Sequence, residues 1–184
     1  TGKLTYKIEY NLFVTVGKKS KTGGGGQMAN ESFTKAESWQ DYFATITKTW
    51  SQQDSTPRYL QDVNGDGQLD IVGFGMDGVY VSLGVKDGSF LQSKLWNNNI
   101  TVREYGDDYP KHIADINKDG KADIVVFGKT CVEVLLSDGE KFGDSVCAYK
   151  HFAKETGNWN VRRHHRFVTD INGDGYPDIV GFHE

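Results

Sequence analysis

One acidic segment occurs three times in this chain and limits what it can fold into. Asp62-Val-Asn-Gly-Asp-Gly-Gln-Leu-Asp-Ile-Val-Gly-Phe74 recurs as Asp115-Ile-Asn-Lys-Asp-Gly-Lys-Ala-Asp-Ile-Val-Val-Phe127 and as Asp170-Ile-Asn-Gly-Asp-Gly-Tyr-Pro-Asp-Ile-Val-Gly-Phe182. The copies are 53 and 55 residues apart. Each is one supersecondary unit, and a period of this size suits one small antiparallel sheet per repeat. The 22 glycines and many aromatic residues favour short strands joined by tight turns over long helices.

Four strands are expected per repeat. In the first repeat they are Arg58–Asp62, Asp70–Phe74, Val79–Leu83 and Ser89–Trp96. In the second they are Lys111–Asp115, Asp123–Phe127, Cys131–Leu136 and Lys141–Tyr149. The third has only its first pair, Arg166–Asp170 and Asp178–Phe182. Its missing half matches the N-terminal part, where Asn11–Gly17 resembles Gly78–Gly84 and Glu31–Trp39 resembles Gly88–Trp96. The expectation is an all-β repeat domain spanning 1–184, with about three four-stranded blades. Residues 51–98 form the first blade, 99–150 the second and 151–184 the first half of the third. Residues 1–50 hold the other half-blade, and 4–10 is either a donor strand for a neighbouring chain or an edge strand of its own.

The acidic loops have the chemistry of a calcium site. Calcium takes six to eight oxygen ligands, and Asp or Asn at loop positions 1, 3, 5 and 9 supplies them, with the backbone carbonyl of position 7. The candidate ligands are Asp62, Asn64, Asp66, Gln68 and Asp70; Asp115, Asn117, Asp119, Lys121 and Asp123; and Asp170, Asn172, Asp174, Tyr176 and Asp178. Gln68, Lys121 and Tyr176 would act through their carbonyls, so their side chains are free to vary. Glycine at position 6 (Gly67, Gly120, Gly175) meets the need for a sharp turn. The other reading is an Asx- and glycine-rich hairpin that needs no metal. Three Ca2+ sites that brace hairpins, without catalysis, are expected.

The run Asp-x-Asn-x-Asp-Gly-x-x-Asp-Ile-Val-x-Phe resembles the FG-GAP/VCBS repeat family. Val79-Tyr-Val-Ser-Leu83 resembles the lectin-like branch. The resemblance implies calcium-loaded β-propeller blades, as in integrin α heads and some fungal lectins. It covers nearly all of the chain except the first ten residues and the glycine-rich loop. It carries over no sugar-binding residues. Complete propellers have four to eight blades; about three here leave a fragment, a two-chain ring or a head-to-tail fibre as the alternatives.

Other features fill in the setting. Cys131 and Cys147 have the same index sum as a hairpin turning about Gly139, so they are expected to face each other, as a disulfide or as two small core residues. Asn30 and Asn99 open glycosylation sequons. The chain starts at Thr1 and reads as a mature or trimmed product. Together with calcium, these features suggest a secreted or cell-surface setting. Arg162–Arg166 is a basic cluster suited to an anionic ligand or to a solvated loop. Trp39, Trp50, Trp96, Trp159 and Tyr105 either stack on sugars or pack between blades. The net charge of −4 argues against nucleic-acid binding, and no run of roughly 18 apolar residues suggests a membrane span. No nucleophile, zinc-protease or phosphate-loop motif is present. The expected function is therefore non-enzymatic: assembly or adhesion, with self-association through terminal strands. Alternatives are a calcium-dependent lectin binding a glycan, or an accessory domain of a larger surface protein or enzyme.

Overall fold

A computed structural model describes Phe43 and residues 56–183, together with the backbone of four two-residue strands nearer the N-terminus. Those strands are β1 (Phe13–Val14), β2 (Gly17–Lys18), β3 (Ser32–Phe33) and β4 (Glu37–Ser38). β1 pairs with β4 and β2 with β3, both antiparallel. The candidate donor strand 4–10, Asn30, Trp39 and Trp50 lie outside the described residues.

The first blade is a four-stranded meander of β5 (Arg58–Gln61), β6 (Asp70–Phe74), β7 (Val79–Ser82) and β8 (Lys94–Asn97). The second repeats it with β9 (Lys111–Ala114), β10 (Asp123–Phe127), β11 (Val132–Leu135) and β12 (Val146–Tyr149). The third consists, among the described residues, of β13 (Arg166–Thr169) paired with β14 (Asp178–Gly181). The described residues are thus all β. β6 and β10 are buried along their whole length: β10 lies between the first and third blades, and β6 between the second blade and Phe43, which packs on Ile71. This explains why they read Asp-Ile-Val-Gly-Phe and Asp-Ile-Val-Val-Phe, without the alternation of a half-exposed strand.

Blades pack in series. Val63, Val72, Phe74, Val81 and Trp96 of the first blade share one core with Ile113, Ala122, Ile124, Val126 and Phe142 of the second. Val125, Phe127 and Val132 of the second form the next core, with Val168 and Ile179 of the third packed against them. Hydrogen bonds join the blades as well: Ala122 N–H donates to Asp62 O at 2.8 Å and the Ser137 hydroxyl donates to Val63 O at 2.6 Å.

The outer strands differ from the expectation. β8 and β12 are about half the anticipated length, and both outer pairs carry a register shift. Gly139 (φ +94°) and Glu140 are the two central turn residues, with Asp138 N–H bonded to Lys141 O, so the turn is not centred on Gly139. On the ladder Cys147 therefore faces Glu133, not Cys131. The total slip is two residues, which keeps both cysteines on one face of the sheet. The disulfide Cys131–Cys147 forms along the diagonal, with Cα atoms 5.8 Å apart.

Candidate acidic-loop sites and the inter-blade clamp

Each acidic loop is organised by its own carboxylates. Asp62 accepts from Gly65 N–H and Gly67 N–H, both at 2.7 Å, and Asp170 accepts from Gly173 and Gly175 in the same way. Asp115 accepts from Gly120 N–H at 2.9 Å and Asp119 N–H at 3.2 Å. The position-3 amides follow suit: Asn64, Asn117 and Asn172 accept from the N–H of Asp66, Asp119 and Asp174. Those three aspartates accept in turn from Gln68, Lys121 and Tyr176 N–H.

Two positions of each loop turn through the left-handed region, not one. Position 6 was expected; position 4 was not, and there Gly65 (φ +79°) and Gly173 (φ +80°) correspond to Lys118 (φ +60°). A lysine is strained in that conformation. Its side chain reaches across to the third loop, donating to Asp174 O and lying 3.7 Å above the Tyr176 ring.

The carboxylates at positions 5 and 9 sit in opposite environments. Asp66 is held below the usual range by hydrogen bonds from Asn64 and Gln68. Asp119 is held down by the Lys121 ammonium, 2.9 Å away, and Asp174 by the N–H of Tyr176. Asp70 and Asp123 are fully buried, and desolvation pushes their pKa up. Each ties the loop to the segment that follows the third strand of its blade. Asp70 accepts from Val63 and Gly84 N–H, and Asp123 from Ile116 and Ser137 N–H. Asp178 accepts from Ile171 N–H at 3.1 Å, but its half-blade has no third strand among the described residues to provide the second donor.

The donor set is the hard-oxygen set that calcium takes, and an oxygen that accepts one N–H keeps a second lone pair for a cation. Among the described residues, however, no three His, Cys, Asp or Glu side chains converge at metal-holding spacing. The loops close on their own amides. Asn99 is exposed in the turn after β8.

A second repeated site was not anticipated. Arg58, Lys111 and Arg166 stand four residues before the first aspartate of each loop, a regularity visible in the sequence. Each donates into the connector that precedes its blade. Arg58 Nη1 bonds Phe43 O and Arg166 Nη1 bonds Phe152 O, both at 2.9 Å. Lys111 Nζ bonds the carbonyls of Tyr105, Gly106 and Tyr109. Arg166 also lies over the Phe127 and Trp159 rings. The Arg162–Arg166 stretch is therefore not one basic patch. Arg166 and His164 are buried, His164 Nδ1 accepts from Asn160 N–H, and its ring stacks on His183 at 4.0 Å. Trp96 and Trp159 are likewise buried between blades.

Surface hollows lie where connectors meet the sheets. One of 470 Å³ is lined by Asp108, Lys154, Glu155, Asn158, Trp159, Asn160 and Val161. Another of 330 Å³ lies between the first two blades, around Tyr59, Asp107, Tyr109 and His112.

These four-stranded sheets packed in series define a β-propeller-type array. The FG-GAP-like repeat model matches residues 62–126 and again 115–181, and the chain belongs to that family. Among solved structures, the chain is similar to a lectin from Agrocybe aegerita, described by its recognition of non-reducing terminal N-acetylglucosamine. Identity is 36% and the TM-score 0.76, over 83% of this chain and 38% of that one. A Tc holotoxin pore from Photorhabdus luminescens shares the fold, at 16% identity and a TM-score of 0.53 over 70% of this chain and 6% of that one. This chain thus spans well under half of the lectin. No curated protein matches the sequence.

Proposed function

We propose that the chain is a non-catalytic, extracellular glycan-binding module whose three acidic loops take calcium. The likeness to the Agrocybe lectin carries this reading. The hollow at Asp108 and Asn160 supports it, because carboxylate, amide and aromatic groups at a blade junction are the chemistry that sugar hydroxyls need. Calcium would be held by the loop carboxylates and asparagines and would supply fixed positive charge that rigidifies each hairpin. The disulfide and the exposed Asn99 sequon agree with an oxidising compartment. The described residues contain no helix long and apolar enough to cross a membrane.

Titration calorimetry with N-acetylglucosamine-terminated oligosaccharides tests the ligand. Binding that weakens at least tenfold in Asn160→Ala is expected, and absence of binding to any glycan on an array would overturn the proposal. For the metal, calcium should raise the melting temperature by several degrees over a chelated sample. An unchanged melt would remove the calcium reading and leave loops closed by amides alone.

A second reading is self-association, in which the β14 edge is completed by terminal strands of another copy. It is favoured by β14, which pairs with β13 alone among the described strands. Deleting residues 1–10 would then abolish association, as followed by light scattering.

A further inference from the structure

We propose that the chain carries a second ligand site, for a neutral sugar, in the hollow between the first and second blades at their acidic-loop end. This goes beyond the hollow at Asp108 and Asn160 and does not depend on it. The second hollow measures 480 Å³ and is lined from both complete blades. That volume falls within the roughly 300–1,000 Å³ of small-molecule sites. Val81, Leu83 and Leu91 of the first blade give it an apolar lining, with Trp96 beside them. The β11–β12 turn of the second blade closes it, through Gly139 and Glu140. In an antiparallel meander the first and third turns share one end of the sheet, and the connectors lie at the other. The two hollows therefore open toward opposite ends of the blades.

Both walls are fixed before any ligand arrives. Asn97 Nδ2 donates to Phe142 O at 3.3 Å and Gly143 O at 3.1 Å, and Phe142 N–H donates to Trp96 O at 3.3 Å. The Trp96 and Phe142 rings lie 5.4 Å apart. On the other wall Gly139 N–H donates to Ser137 Oγ, and Ser137 N–H donates to the buried Asp123 at 2.8 Å. A Cβ on Gly139 would stand 3.5 Å from Asn64 O, so the turn rests on the first acidic loop. A wall held this way loses little freedom on binding. The rim supplies the chemistry. The side chains of Gln92, Lys94 and Glu140 are exposed and have no hydrogen-bond or ion-pair partner among the described residues. Lys94 comes from the first blade and Glu140 from the second, so one ammonium and one carboxylate border the same space. Their charges cancel, which favours a neutral ligand over an ion. That ligand must donate to Glu140 and accept from Lys94, with Gln92 able to do either. Sugar hydroxyls do both, and the C–H face of a pyranose suits the apolar lining. With one sugar at each end, a single chain joins two glycans without associating.

The test is a glycan array probed with the full chain and two variants, Asn160→Ala and the double variant Gln92→Ala with Glu140→Ala. All three residues are exposed, so the fold is kept. Asn160→Ala should retain a subset of glycans, and the double variant should bind that subset at least tenfold more weakly. Adding the strongest glycan of the subset should shift the Trp96 indole signal in proton–nitrogen spectra. Loss of every glycan in Asn160→Ala overturns the inference and leaves the hollow at Asn160 standing. A retained subset that the double variant binds as well as the wild type also overturns it. Full binding in Asn160→Ala with loss in the double variant supports it and removes the site at Asn160. A chain that binds no glycan overturns both readings. If the zwitterion glycyl-leucine shifts the Trp96 signal and no sugar does, the sugar assignment is overturned.

Discussion

β6 and β14 have the same sequence and live in different surroundings. Both read Asp-Ile-Val-Gly followed by phenylalanine. In β6 every residue is buried, and Phe74 meets Tyr59 edge-on at 5.9 Å. In β14 every residue is partly exposed, and Phe182 is 64% open. β10, one residue different, behaves as β6 does. Burial here is a property of what lies on either side of the strand. β6 and β10 lie between strands of their own sheet and are covered on both faces, β10 by two blades and β6 by the second blade and Phe43, whereas β14 has a blade on one side only among the described residues. The same difference reaches the acidic loops. Asp70 and Asp123 each hold two backbone amides, and Asp178 holds one among the described residues.

The largest expected effect breaks this comparison directly. Phe74→Ala should cost about 3–5 kcal/mol by denaturant unfolding, as for a large aromatic removed from a tight core. Phe182→Ala should cost under about 1 kcal/mol in dilute protein. Equal costs would mean that Phe182 is covered in solution.

Next comes the one covalent difference between the complete blades. Cys131→Ser should lower stability by about 3 kcal/mol, given a sequence separation of 16 between the linked cysteines. An unchanged midpoint would show that the staple does not limit unfolding.

Gly181 sharpens the contrast between the two inter-blade junctions. The second blade has Val126 at this position, but a Cβ on Gly181 would collide with the Trp159 ring and with Phe152. Gly181→Val should cost about 1–3 kcal/mol by overpacking. A neutral result would mean that Trp159 is free to move aside.

The smallest effect concerns the clamp. Desolvation lowers the pKa of Lys111 to about 8, against 10.5 in the unfolded chain. Between those values the unfolded state binds more protons, so stability should rise as pH increases from about 8 toward 10. Lys111→Met should remove that slope, as read from melting temperatures across the window. A slope kept in the variant would assign the effect elsewhere.

The hairpins, the two complete sheets and the half-sheet were legible because glycines and aspartates at fixed offsets demand turns, and apolar runs between them demand burial. The cysteine pairing was legible only by parity. At Glu133–Cys147 the ladder sits two residues from the expected register, and an even slip leaves side chains on the same face. The position-4 turn was missed because a lysine stands there in the second loop, and its tolerance depends on a neighbouring blade. The clamp of Arg58, Lys111 and Arg166 was missed as well: Phe43-Ala44 and Phe152-Ala153 recur in the connectors, but a backbone carbonyl accepting from a side chain far along the chain leaves no pattern of its own.

Sequence alone determined the repeat, its strand order and its acidic loops, because turn geometry and strand patterning are local. Tertiary structure decided which identical strands are covered and which carboxylates are buried. Those outcomes depend on what packs alongside, and a strand cannot encode its neighbour.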